Sequence, residues 1–162
     1  MAISPSQKKA IEVTANNLLK GLDDSTQVPI DLSLIAKSIG LNVEYFPFPD
    51  EISGLLKKEM GVIGINENQH PRRQRFTLAH EIGHYILGHN IIDNRDLVDD
   101  TDTDTSSATE REANYFASAL LMPATLVKQE AKKEMNIKTL SESFGVSEQA
   151  MTIRILELGL IK

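Results

Sequence analysis

Hydrophobic positions recur every three or four residues over most of this chain, and every second residue over one short part of it. Ala10, Ile11, Ala15, Leu18 and Leu19 share one stripe. Ser4-Pro5 before them supplies a cap and a first helical residue, and Gly21 after them a stop, so a first helix is predicted between. Leu32, Ile35, Ala36 and Ile39 form the buried face of a second, short helix, capped by Asp31 and ended by Gly40. Residues 41–46 alternate instead and read as a strand closed by Pro47 and Pro49. Residues 52–57 and 61–66 read as two further strands joined by a charged turn. The second carries Gly61 and Gly64. Glycine in a strand marks a bulge or a close backbone approach, and an edge strand there could hold an extended peptide by main-chain hydrogen bonds.

The helical period returns after the loop 68–71. Leu78, Ile82, Tyr85 and Ile86 make a third helix apolar, ending near Gly88-His89-Asn90. Asp93, Asp96, Asp99, Asp100, Asp102 and Asp104 then interrupt the periodicity and read as a loop. Ser107-x-x-Glu110 reads as a capping box at the start of a helix reaching Leu121, where Met122-Pro123 breaks it. An amphipathic helix is expected over about 125–134. The tail resembles a helix-turn-helix, with Gly145 in the turn and Ser147 capping the second helix. The expected class is α+β, predominantly helical. One domain over 1–162 is expected, with a C-terminal helical extension over approximately 124–162.

Composition narrows what such a fold can do. At 162 residues, 41% hydrophobic and 25% charged, the chain has ordinary soluble-globular proportions. Its formal charge of −6 argues against nucleic-acid binding through a broad basic surface. There is no cysteine, which excludes disulfides, thiolate metal sites and a cysteine nucleophile. No apolar run approaches the ~20 residues needed to span a bilayer, and residues 1–15 lack a signal-peptide core. A cytoplasmic protein that does not engage membranes is expected.

The chemistry concentrates in the third helix, at His80-Glu81-Ile82-Gly83-His84. Histidines at i and i+4 lie one turn apart on one helix face. Two neutral imidazoles so placed can share one Zn²⁺. Glu81 projects beside them, where it can take a proton from water at the ion. Gly83 within the helix costs about 1 kcal/mol relative to Ala and implies that another backbone comes close. A catalytic zinc needs a third protein ligand. His89 lies about 140° further round an ideal helix than His84, so it reads as a capping or surface residue. Glu110 and Glu112 are about 200° apart on the next long helix. Glu110 shares its side with Ala113, Asn114 and Ala117, small enough to approach Gly83; Glu112 shares its side with Tyr115 and Phe116. Glu110 is therefore the better third ligand, and Asn114 could hydrogen-bond the far nitrogen of a ligand histidine. Other first-row ions suit the same donors.

With Glu110-x-x-Ala113-Asn114-x-Phe116-Ala117, Leu120-Leu121-Met122-Pro123, the lead-in Arg75-Phe76-Thr77-Leu78-Ala79 and the tail residues Phe144-Gly145-Val146-Ser147, Arg154 and Leu158-Gly159, the chain resembles the ImmA/IrrE family of metallopeptidases over roughly residues 30–160. The resemblance implies a zincin-like fold, a small sheet packed on the HExxH helix. It implies zinc on His80, His84 and Glu110, a gluzincin-like set, with Glu81 as general base. It implies a protein substrate as partner, a helix-turn-helix repressor, cleaved or sequestered in an anti-repressor role on a mobile element or in a stress response. His70, Tyr85, His89 and Tyr115 remain open as oxyanion-stabilising candidates. Direct DNA contact by the tail is disfavoured, because its second helix carries one cation, Arg154, and an early Glu148.

Overall fold

The structure, a computed structural model, describes residues 2–22, 27–89 and 104–161. Seven helices and three strands occur among them: α1 (Pro5–Lys20), α2 (Leu32–Ser38), β1 (Asn42–Phe46), β2 (Gly54–Lys57), β3 (Val62–Asn66), α3 (Pro71–Ile86), α4 (Asp104–Leu121), α5 (Ala124–Lys133), α6 (Ile137–Phe144) and α7 (Glu148–Glu157). The fold is α+β and mostly helical, as the periodicity requires. No helix among the described residues is long and apolar enough to cross a membrane.

Local chemistry accounts for the element ends. Ser4 and Gln7 close a reciprocal capping box on α1. Asp31 caps α2 and Ser147 caps α7, each accepting a backbone N–H three residues on. The box expected at Ser107 is not a helix start, because α4 begins at Asp104. Ser107 instead sits inside the helix and accepts from Arg111 Nη1 one turn later. The expected acidic loop falls largely on residues 90–103, outside the described residues.

The sheet has the order β1-β3-β2, with β3 parallel to β1 and antiparallel to β2. β3 is therefore the central strand, paired on both sides, and cannot take up an added strand as the sequence suggested. The edge that lies against α3 is β2. The strand glycines serve close packing, not bulges, since both registers are continuous. A Cβ on Gly54 would meet Thr77 Cγ2 of α3 at 2.5 Å, and one on Gly64 would meet the rings of Phe48 and Phe46.

One hydrophobic cluster joins α1, α2, the sheet, α3, α4 and the three last helices, from Ile11 through Ile63, Ile82 and Phe116 to Met151 and Ile155. α3 is its axis, with the sheet and α2 against it and α4 along its length. Two arginines tie the tail to the body. Arg75 donates from α3 to the carbonyls of Ile30, Phe144 and Gly145. Arg154 of α7 is fully buried; it donates to Met122 O and forms a two-point ion pair with Glu12 of α1 at 2.6 and 2.9 Å.

Candidate metal centre

α3 carries His80 and His84 one turn apart, and α4 passes close enough to bring Glu110 to both. His84 Nε2 lies 3.1 Å from His80 Nε2 and 2.8 Å from Glu110 Oε2, which is 2.9 Å from His80 Nε2. An ion with tetrahedral bonds of 2.0–2.1 Å separates its ligand atoms by about 3.3 Å, so three converging atoms at these spacings fit a small divalent ion. The donors, two neutral imidazoles and a carboxylate, are the right chemistry for one. These three residues form the one group of this kind found among the described residues. His84 is sealed in the core, while the side chains of His80 and Glu110 stay 16% and 30% exposed. The cluster is therefore open on its solvent side. Glu81 is buried in α3 beside the pair.

The spacing between the two helices is set by Gly83. A Cβ there would come within 2.9 Å of Phe116 Cδ1 and 3.3 Å of its Cβ. The close approach expected of another backbone at this glycine is made instead by an aromatic side chain. Phe116 packs against the bare backbone of α3 at Gly83 and so helps set the distance of α4, which carries Glu110.

Glu110 is held ionised by its neighbours. Burial works to raise its carboxyl, but protonated His80 and His84 would outweigh that by hydrogen bonds and charge and place it below the usual carboxylate range; with both rings in the neutral ligand form, a bound ion would supply that positive charge instead.

Both histidines are also held from behind. His80 Nδ1 meets Asn114 Oδ1 at 2.8 Å, the contact the one-turn spacing from Glu110 suggested. An amide oxygen can only accept, so Nδ1 carries the proton and Nε2 is left with its lone pair toward the cluster. His84 is oriented by a residue that the sequence placed elsewhere. His84 Nδ1 meets His89 Nδ1 at 2.8 Å, and His89 Nε2 meets Glu112 Oε1 at 2.8 Å. The carboxylate fixes the His89 proton on Nε2, so His89 Nδ1 accepts from His84 Nδ1–H. His84 Nε2 is thereby free of a proton, as a ligand must be.

His89 escapes an ideal-helix projection because α3 ends before it. Gly88 adopts φ +71°. Its N–H bonds Tyr85 O, and the His89 N–H bonds His84 O. This paired closure returns the second residue past the cap residue Leu87 to the third-last helical position, which here is His84. The signal was present as a glycine directly before a histidine, four positions after the last motif residue. Of the remaining oxyanion candidates, His70 caps α3 through Nδ1 and Tyr115 donates its hydroxyl to Glu12. Tyr85 is half-buried against the core.

Fold and cluster together define an α+β domain with a His-His-Glu group able to hold a metal. The family model described as IrrE N-terminal-like domain matches residues 36–156, and the chain belongs to this ImmA/IrrE family. Two relatives are each named radiation response metalloprotease IrrE. The one from Deinococcus deserti is 39% identical over 89 residues, which is 54% of this chain and 31% of the relative. The one from Deinococcus radiodurans is 35% identical over 102 residues, 60% of this chain and 30% of the relative. The matched region is about a third of either curated relative. A solved Mycobacterium tuberculosis transcriptional regulator superposes with a TM-score of 0.63 at 19% identity, over 93% of this chain and 46% of that one. That likeness is one of fold.

Proposed function

We propose that this chain is a zinc-dependent endopeptidase with a zincin-like body over residues 1–162, the last part from about 124 being its helical extension, and that it works in the cytoplasm on a helix-turn-helix repressor. The observation that carries the reading is the convergence of His80, His84 and Glu110 with Glu81 beside them. His80, His84 and Glu110 would hold the ion, which supplies Lewis acidity toward the scissile carbonyl and the attacking water. Glu81 takes the proton of that water and returns it to the leaving amine. Its burial keeps bulk water from competing for the proton. Asn114, His89 and Glu112 keep the ligand nitrogens deprotonated and aimed. The edge of β2 that no strand covers among the described residues, beside α3, offers main-chain groups to an extended substrate.

A repressor can also be removed by binding alone, and the scaffold would serve that role equally well. The two readings separate on Glu81. New protein N-termini should be mapped across the proteome of cells expressing the wild type or Glu81→Gln. Cleavage predicts termini within one small DNA-binding regulator that vanish with Glu81→Gln, a variant that keeps its metal. His80→Ala should lose metal and cleavage together. An identical set of termini in wild-type and Glu81→Gln cells would remove the peptidase reading and leave sequestration. Direct DNA reading by the tail is not favoured, because Arg154, the one cation in α7, is buried against Glu12.

A further inference from the structure

A groove of about 900 Å³ runs from behind His80 to the last helix, walled by the start of α1, the first turns of α3, α4 and α7. It borders the candidate metal centre through two residues that contact His80. Asn114 lines it while accepting from His80. Phe76, one turn before His80, lines it with its ring 6.4 Å from the imidazole. Its floor is apolar, from Phe76 to Ile153, the latter 48% exposed. Its rim is cationic: Lys8, Arg72, Arg73 and Arg111 line it, against the single carboxylate of Glu157.

That charge runs against the molecule as a whole, whose formal balance is −6. None of the four cations has an ion-pair partner among the described residues. Arg73 reaches only Ser53 Oγ, at 3.1 Å. Lys8 lies over the Tyr115 ring. Arg111 donates to Ser107 Oγ, and its Nε has no acceptor. Four cations gathered at one apolar groove, in an acidic protein, cost self-repulsion that a matching anionic occupant relieves.

We propose that this groove docks an acidic segment of the protein substrate, with apolar side chains on the floor and carboxylates on the rim. The segment flanks the bond presented to the His80–His84–Glu110 cluster. The flanking role rests on the peptidase reading above; the binding does not.

The test uses the full chain carrying Glu81→Gln and two fluorescent synthetic peptides. Both share one apolar frame; one has glutamate and the other lysine at every polar position. Anisotropy titrations are run with zinc and, separately, with chelator. The acidic peptide should bind roughly tenfold tighter or more. The preference should fade toward 1 M salt, where screening shortens to about 3 Å. It should collapse in Arg72→Ala/Arg73→Ala, while Ile153→Glu, on the apolar floor, should weaken the acidic peptide at unchanged metal affinity. Equal binding of the two peptides would overturn the proposal, as would a preference that survives in Arg72→Ala/Arg73→Ala. So would a preference seen only with zinc, which would make the ion the reader of charge. Tight binding that emerges only once Asp93, Asp96, Asp99, Asp100 and Asp102 are changed to Asn would also overturn it, by making the chain's own acidic stretch the occupant. Because the Glu81→Gln chain need not cut anything, failure to find a cleaved substrate leaves this result untouched.

Discussion

His89 takes its importance from the atom it meets. A histidine bonded through Nδ1 to another histidine's Nδ1 has two ways to share one proton, and the Glu112 carboxylate on its far nitrogen selects one. The selected tautomer is the one that leaves His84 Nε2 unprotonated. Removing such an outer partner typically costs 10–100-fold in metal affinity. His89→Ala should therefore bind zinc roughly 10–100-fold more weakly in competition with a chelating dye, while keeping its far-ultraviolet circular dichroism. Asn114→Ala should show a loss of the same order through His80. Wild-type affinity in both variants would mean that the helix alone orients the ligands. At this scale the sequence was readable wherever one regular element carried the information. The convergence of His80 and His84 follows from i, i+4 spacing, and that of Glu110 and Asn114 on them from the small face of a helix. His89 was lost because its position depends on where a helix stops.

Elements meet here through what they lack. Gly83 removes a side chain from α3, and Phe116 of α4 fills the space. Gly83→Ala should gain about 1 kcal/mol of helix propensity and lose about 1–3 kcal/mol to overpacking against Phe116, for a small net loss in urea unfolding. The larger effect should be on the centre, because pushing α4 outward carries Glu110 away from both histidines. Zinc affinity should fall several-fold, and adding Phe116→Leu should restore much of it. A Gly83→Ala protein with intact affinity would show that α4 is held by other contacts. Helices were legible to within a few residues because caps and apolar stripes are local. Strand order was not, since nothing in residues 61–66 distinguishes a central strand from an edge. That is decided by β2 folding back on one side and β1 arriving in parallel on the other.

Across the whole molecule, the Glu12–Arg154 pair joins the first helix to the last. Burial alone would raise the Glu12 carboxyl, but the Arg154 guanidinium and the Tyr115 hydroxyl bonded to it bring it below the usual value. Tyr115 is pushed the other way, up to about 12, by burial and by donating to that carboxylate. A depressed carboxyl stabilises the fold above its unfolded pKa, near 4.5, and that contribution is lost as pH falls through the folded value. Stability should thus decline below about pH 4.5. Glu12→Gln, which leaves Arg154 buried and unpaired, should cost about 3 kcal/mol near neutrality. The gap to wild type should narrow as the wild type is acidified. Glu12→Leu/Arg154→Met should recover much of the loss. Urea unfolding across pH would measure all three. The tie between the chain's two ends was not foreseeable from the sequence, where Arg154 reads as the lone cation of a recognition helix.

That tie also sets a timetable. Glu12 and Arg154 stand 142 residues apart. At a synthesis rate of about 5–20 residues per second, Glu12 leaves the ribosome roughly 7–30 s before its partner is made. Glu110 is translated about 2–9 s before Arg154 at the same rate. A nascent chain therefore holds all three metal-cluster residues before it holds the helix that walls the groove. On the functions proposed above, the residues that would bind an ion are written into the chain earlier than those that would select what the ion meets.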